Sequence, residues 1–301
     1  KNSGKTVYPV KYAIWVSKGP KRLSQDATLS EVQAGISIKH KKASPSISND
    51  PLSPWLTLPE ETPDSVLKVT GRSFYRAREG VNTGGANGVF WLASVKKTED
   101  GQLITNAYNI GKNKVPERTG VVEASLVYPL LRGRDIKRWR AVPTLNILLT
   151  HSSSKPKEAI IESEFKQNFP KAYRFLNHFK IFLKGRPEYE RWGQKGPFYE
   201  LYRIGNYTFA DYSVVWPEVG HTVAAAVIGK ISTEYSGNKF IIPDHTCILV
   251  PTNHHEEANF LAALLNSTPA QVILRGYVTL HPSPHVLEHI EIPKFDPKAK
   301  I

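Results

Sequence analysis

Nine consecutive residues, Arg132-Gly133-Arg134-Asp135-Ile136-Lys137-Arg138-Trp139-Arg140, set four arginines and a lysine around a single acid. A guanidinium is a planar fork of donors that matches two phosphate oxygens or the O6/N7 edge of guanine, so this spacing points to polyanion recognition. Arg132, Arg134, Lys137 and Arg138 are the candidate DNA-binding residues of this segment, with Asp135 orienting one of them. Arg76 and Arg78, two apart on an expected strand, project to one side and join that set. Directly after them, Gly80–Gly88 packs four glycines, two asparagines and a threonine into nine positions. Such a run permits positive φ and lets backbone amides approach an anion, which makes Asn82 and Thr83 candidates as well. The spacing matches neither G-x-G-x-x-G nor the P-loop, and Val89–Leu92 reads as a strand, so a turn at a binding edge is expected rather than a cofactor cradle. The arginines before and after this bend are expected to share one concave wall.

His151-Ser152-Ser153-Ser154-Lys155 closes an expected strand with donors and acceptors suited to phosphate or base edges, and an ordinary polar loop reads equally well. His151, Ser153 and Lys155 are its candidates. Further on, Arg191, Lys195 and Arg203 interleave with Trp192, Phe198, Tyr199, Tyr202, Tyr207, Phe209, Tyr212 and Trp216. Rings of this kind either stack on bases or fill a core. His281, His285 and His289 are four apart, but Pro282 and Pro284 interrupt any helix that would align them and no cysteine lies near, so no metal site is expected. Gly4-Lys5-Thr6 imitates the end of a P-loop without its first glycine. Asp64 and Lys68 lack the intervening acid of a metal-dependent nuclease. With no Asn-Pro-Pro-aromatic segment and no glycine motif for a methyl donor, no catalytic residue and no cofactor are expected in this chain.

The charge agrees with a polyanion partner. The 301 residues carry a formal net charge of +13, distributed as +5 over residues 1–60, +6 over 61–150, +4 over 151–230 and −2 over 231–301. A field of that sign concentrates nucleic acid and steers its approach. A single cysteine, Cys247, forms no internal disulfide and makes the cytoplasm the expected compartment. The longest apolar runs, Thr222–Gly229 and Phe260–Leu265, are too short to span a bilayer, so a membrane partner is not expected. Methionine is absent and the first residue is Lys1, as expected of a piece of a longer protein.

These residues must be positioned by an α+β fold. Val7–Val16 and Ile36–His40 read as strands, and Lys39–Pro63, with five prolines and several serines, reads as a linker. Residues 1–64 are therefore taken as an N-terminal extension and linker, the possible tail of an upstream catalytic domain, and 65–301 as the recognition domain. Within it a β-rich lobe is expected at about 65–155. Strands are expected at Val89–Lys96 and Gln102–Asn109 around the Glu99-Asp100-Gly101 hairpin, then at Val121–Tyr128 and Thr144–His151. A mixed lobe is expected at 156–301, with a helix from Pro170 to about Lys184 whose apolar stripe is Ala172, Phe175, Leu176, Phe179, Phe182 and Leu183. Strands Thr222–Ile228, Phe240–Ile242 and Thr246–Val250 precede helices at His255–Asn266 and Pro269–Gly276, the second capped by Thr268.

Taken in order, the motifs resemble the C-terminal target-recognition domain of adenine-specific DNA methyltransferases, including fused type II restriction–modification enzymes. Gly80–Phe90 is similar to that family's glycine-threonine-glycine turn, and Tyr128–Trp139 resembles its Tyr-Pro-Leu-Leu-Arg-Gly-x-Asp-Ile segment. Phe169–Arg186 resembles its Pro-x-x-Tyr-x-x-Leu helix with a basic end. Phe260–Tyr277 and Ile290–Pro293 resemble its Leu-Leu-Asn-Ser helix pair and closing Ile-x-Ile-Pro strand. The likeness covers about residues 65–295. It implies that double-stranded DNA is the partner and that an upstream domain of the same protein transfers the methyl group of S-adenosylmethionine, while this part grips the duplex as the adenine swings out. Rival readings are an RNA or single-strand binder using the Tyr/Trp cluster, a fragment that itself modifies or cleaves DNA, and a protein-interaction module.

Overall fold

The structure is a computed structural model that describes residues 6–19, 24–47, 50–191, 195–220, 223–277 and 284–298. It is a mixed α+β fold. The chain opens with strands Val10–Ser17 (β1), Ile36–Ile47 (β2) and Asp50–Pro59 (β3), an antiparallel sheet in that order, with helix Leu29–Gly35 (α1) between the first two. A capping box starts α1: Thr28 Oγ1 accepts from the Glu31 N–H, and the Glu31 carboxylate accepts from the Thr28 N–H. The linker expected at Lys39–Pro63 is thus mostly sheet. Its prolines are accommodated because β3 is an edge strand, where Pro51 and Pro54 lack only optional donors, and because Pro45 sits where the β2–β3 register shifts. This sheet is no loose tether, since Leu56 and Leu58 pack on Ile273 of the last helix.

Next come Arg78–Glu79 (β4), a single helical turn Asn87–Phe90 (α2), Trp91–Thr98 (β5), Gly101–Asn106 (β6), Thr119–Val122 (β7) and Val127–Leu131 (β8). The short Ile136–Lys137 (β9) and Arg140–Ala141 (β10) precede Leu145–Leu148 (β11). Four helices follow, Glu162–Asn168 (α3), Pro170–Asn177 (α4), Lys180–Lys184 (α5) and Pro187–Arg191 (α6). The remaining strands are Tyr212–Pro217 (β12), Ala226–Ile228 (β13), Lys230–Thr233 (β14), Gly237–Phe240 (β15), Ile242–Pro243 (β16) and Cys247–Thr252 (β17). Helices His255–Asn266 (α7) and Thr268–Tyr277 (α8) close the fold.

Two principal sheets result. One has the order β16-β8-β11-β5-β6-β7 and the other β13-β12-β17-β4, and the parallel β16–β8 pairing ties the later chain into the earlier sheet. Gly101, at φ +141°, closes the β5–β6 hairpin where the Glu99-Asp100-Gly101 signature placed it. The first core joins Phe90, Leu92, Ile104, Leu130 and Ile147 to Phe165, Phe175, Leu176, Leu183 and Tyr199. The expected lobe border near residue 155 therefore cuts through one core, because the helices after it lie on the sheet before it. In the second sheet, alternation sends Val214 and Trp216 of β12 toward α7 and α8, and Val215 toward Leu131 of the first sheet, Ile136 of β9 and Ile241 just before β16. Both of its faces are buried, at about 1.5–3 kcal/mol per large apolar side chain removed from water.

Three local expectations are corrected. Val89 and Phe90 belong to the turn α2 rather than to a strand. The helix expected over Pro170–Lys184 breaks at His178–Phe179, where the Phe179 N–H bonds Leu176, three residues back, yet Ala172, Phe175, Leu176, Phe179 and Leu183 keep one buried side. Ser267, not Thr268, caps α8: its Oγ accepts from the Ala270 N–H at 3.4 Å. No helix among the described residues is long and apolar enough to cross a membrane.

Candidate nucleic-acid interface

The glycine turn is built around a buried cation. Arg186 is 2% exposed and donates to four carbonyl bonds: Nε to Leu183 at 2.9 Å, Nη1 to Thr83 at 2.8 Å and Glu200 at 2.9 Å, and Nη2 to Phe198 at 2.8 Å. Its guanidinium also lies over the rings of Phe90 and Tyr202. Burial pulls its pKa down, but an arginine keeps its proton. Asn82 and Tyr202 exchange backbone hydrogen bonds at 2.9 and 2.8 Å, and the Asn82 Oδ1 accepts from the Gly84 N–H at 2.7 Å. Gly84 has φ +63°, and a Cβ there would meet the Tyr202 ring. Thr83 is buried and its hydroxyl bonds the Asn87 side chain. As a base-contacting residue Thr83 is therefore corrected: it is a strut. The turn is filled by Tyr202, Arg186 and Asn87.

The turn supports the floor of a cationic cleft. Two adjoining recesses share Lys157 and Ile204. Arg76, Arg78, Asn206 and Tyr207 line one, and Lys195, Tyr202, Arg203 and Glu200 line the other. Five cations, Arg76, Arg78, Lys157, Lys195 and Arg203, thus face two carboxylates, Glu158 and Glu200. Three of them are positioned by different neighbours. Tyr75, just before Arg76, donates its hydroxyl to Glu257 and accepts from the Phe295 N–H, both at 3.0 Å, and burial lifts its pKa to about 12. Arg78 pairs with Leu249 on β17 and sets its guanidinium over Tyr207. Arg203 takes a left-handed backbone, φ +57°, and forms an ion pair with Glu79. The Tyr202 hydroxyl is buried and has no hydrogen-bond partner among the described residues.

The arginine-rich segment divides. Arg132 is held internally: Nε reaches Asp135 at 3.2 Å, Nη2 reaches the Thr144 hydroxyl at 2.6 Å, and that hydroxyl bonds Asp135 at 2.9 Å. Arg132 is thereby corrected from contact residue to brace, with Asp135 orienting it as expected. Arg134 is exposed on the helical turn Gly133–Asp135, and Lys137, Arg138 and Arg140 are exposed on the β9–β10 hairpin that follows; none of the four has an ion-pair partner among the described residues. This hairpin does not line the cleft. A row of paired residues, Arg78, Leu249, Val215 and Ala226, runs across the second sheet, and the hairpin joins it beyond Ala226, where the Trp139 N–H bonds the Ala225 carbonyl at 2.9 Å. Three strand steps to Ala226 and one more to the hairpin put the two arginine groups roughly 19 Å apart. The single concave wall is corrected to two basic borders on opposite edges of one sheet.

Of the remaining candidates, His151 is buried, and desolvation lowers its pKa to about 4. Its Nδ1 lies 3.4 Å from Thr150 Oγ1, which donates to the Tyr199 carbonyl, so a contact to DNA through His151 is corrected too. Ser153 and Lys155 are exposed on the loop leading to Lys157, and Arg191 is exposed at the end of α6. Tyr189, Phe198, Tyr199 and Trp216 are core, whereas Trp192 lies outside the described residues. His281 is also outside them, His285 pairs with Glu288, and His289 stacks on Tyr277. Among the described residues no cluster of His, Cys, Asp and Glu is arranged to hold a metal.

Three residues important to the site had not stood out in the sequence. Lys157 joins the two recesses, Arg186 pins the turn, and Asp244 sits between the sheets. The Asp244 N–H bonds Leu131, its Oδ1 accepts from both the N–H and the hydroxyl of Thr246, and burial raises its pKa. Gly80 lies so close to the Asp244 carbonyl that a Cβ would run into it. Lys-Pro-Lys and Gly-Arg-Pro in a basic chain give no sign of which cation is buried. No protein-family model matches the chain, and no curated protein matches it either.

Proposed function

We propose that this chain recognises double-stranded DNA, as the target-recognition part of an adenine-specific DNA methyltransferase or restriction–modification enzyme acting in the cytoplasm. The cleft lined by Arg76, Arg78, Lys157, Lys195 and Arg203 carries the reading. Five long cations around a groove neutralise successive phosphates and release their counterions, which supplies affinity without sequence preference. The exposed cations Arg134, Lys137, Arg138 and Arg140 give a second line of phosphate contact at the far edge of the sheet. Side chains bordering the groove then discriminate base edges.

Duplex is favoured over single strands because three of the interleaved rings, Phe198, Tyr199 and Trp216, are buried in the core and are not free to stack. Methyl transfer from S-adenosylmethionine, and any cleavage, are assigned to a domain upstream of this chain, and no step of that chemistry is placed on its residues. The test has two arms. Selection from a pool of random duplexes should return one short preferred sequence, and at equal salt duplex should bind more tightly than either separated strand. Tighter binding of the single strands would favour the stacking reading instead.

A further inference from the structure

The tip of the β9–β10 hairpin carries a combination that the cleft leaves unexplained. Lys137 pairs with Arg140, which leaves Arg138 and Trp139 as the two corner residues. Trp139 has φ +69°, a left-handed conformation that disfavours every side chain and is usually given to glycine or asparagine. The residue is 60% exposed, so burial among the described residues compensates little for the backbone it adopts. Strain held at an exposed aromatic tip is a mark of a working position rather than a folding one.

The tip is also rigidly placed. The Ala225 carbonyl that accepts from the Trp139 N–H accepts in addition from Asn266 Nδ2 at 2.8 Å, and the Ala225 N–H donates to Asn266 Oδ1 at 3.0 Å. Asn266 is buried on α7, so the hairpin is clamped to a helix. The Trp139 ring borders a recess of about 640 Å³ whose other walls include Asp211, Tyr212, Lys230, His255 and Asn259. The Tyr212 and His255 rings stand 5.2 Å apart, Asn259 bonds the His255 ring, and Lys230 pairs with Asp211 at 2.9 Å.

We infer that this recess receives one unpaired nucleobase of the bound strand, stacked on Trp139. The chemistry of the walls fits such a ligand. Indole and phenol rings offer stacking surfaces, the Asn259 amide both donates and accepts along a base edge, and Arg138 and Arg140 flank the ring where the sugar-phosphate chain must pass. A base inside an intact duplex presents no free ring surface, so the recess selects a nucleotide already displaced from its stack. This inference rests on the nucleic-acid reading of the cleft, and the experiment separates the two.

The full 301-residue chain is titrated at one salt concentration with a fully paired DNA duplex and with the same duplex carrying one unpaired adenosine. Stacking of a base on an aromatic ring gives the wild type a preference for the unpaired nucleotide of about tenfold. Trp139→Ala removes that preference and keeps binding of the paired duplex, while Trp139→Phe retains most of it. Trp139→Gly, which relieves the left-handed backbone, loses the preference and melts no lower than wild type. Equal discrimination by wild type and Trp139→Ala overturns the base-stacking role while leaving the cleft reading standing. Failure of the wild type to bind either duplex overturns both.

Discussion

Arg186 donates from Nη1 to the carbonyl of Thr83 at 2.8 Å, and so a buried guanidinium that forms no ion pair among the described residues suspends the glycine turn over the cleft floor. Its remaining donors bond Leu183, Phe198 and Glu200, all through carbonyl oxygens. Replacing Arg186 with Ala orphans these acceptors and opens a void beneath Phe90 and Tyr202, at a cost of about 3–5 kcal/mol. Lysine lacks the planar fork, so Arg186→Lys recovers little of that loss. Urea unfolding of the two variants measures it, and near-wild-type stability in Arg186→Ala would contradict the bracing role.

Cations in the cleft act on affinity, not on sequence. Arg78→Ala and Lys157→Ala are each expected to weaken binding about equally for every duplex sequence and to reduce the salt slope by about one. Arg203→Ala has a smaller effect, because Glu79 already neutralises much of that charge. Fluorescence anisotropy over a series of salt concentrations measures all three.

Arg132 and Arg138 are six residues apart and should separate cleanly. Arg132→Ala breaks the network with Asp135 and Thr144, lowering stability by about 1–3 kcal/mol with no direct effect on DNA affinity. Arg138→Ala, at an exposed corner, leaves the melting temperature unchanged and weakens DNA binding. Calorimetry paired with binding on the same preparations checks the crossing pattern.

Burial of His151 makes the fold acid-sensitive. The imidazole takes a proton near pH 6.5 in the unfolded chain but only near 4 when folded. A depressed folded pKa means that the stability is fully present above pH 6.5 and is lost as pH falls toward 4. The loss amounts to about 3 kcal/mol at its largest. His151→Leu removes this titration and flattens the melting temperature over that window, whereas an unchanged acid dependence in the variant would place the sensitive group elsewhere.

Elements governed by short-range chemistry were readable in the sequence, and those governed by tertiary contact were not. The Glu99-Asp100-Gly101 hairpin, the apolar stripe from Ala172 to Leu183, and helix α7 follow from turn residues and periodicity alone. The β2–β3 pair was masked by its prolines, because composition does not show that a strand will lie at an edge with its donors unneeded. Within the candidate site, Arg76, Arg78, Lys195 and Arg203 line the cleft as exposed or half-exposed cations. Thr83, Arg132 and His151 turned inward, since a polar side chain that braces a turn and one that meets a phosphate look alike until the partners that fold against it are known.

The central claim is that the cleft is an electrostatic groove for duplex DNA. Its most direct measurement is the affinity of one short duplex for the wild type and for an Arg78→Ala/Lys157→Ala/Lys195→Ala variant as salt is raised from about 50 to 200 mM. With the cleft cations and the second line of contact both engaged, the slope of log affinity against log salt is about −7 to −8 for the wild type and about −5 in the variant, with both proteins folded. Affinity that is indifferent to salt, or a slope that is the same in both proteins, would contradict it.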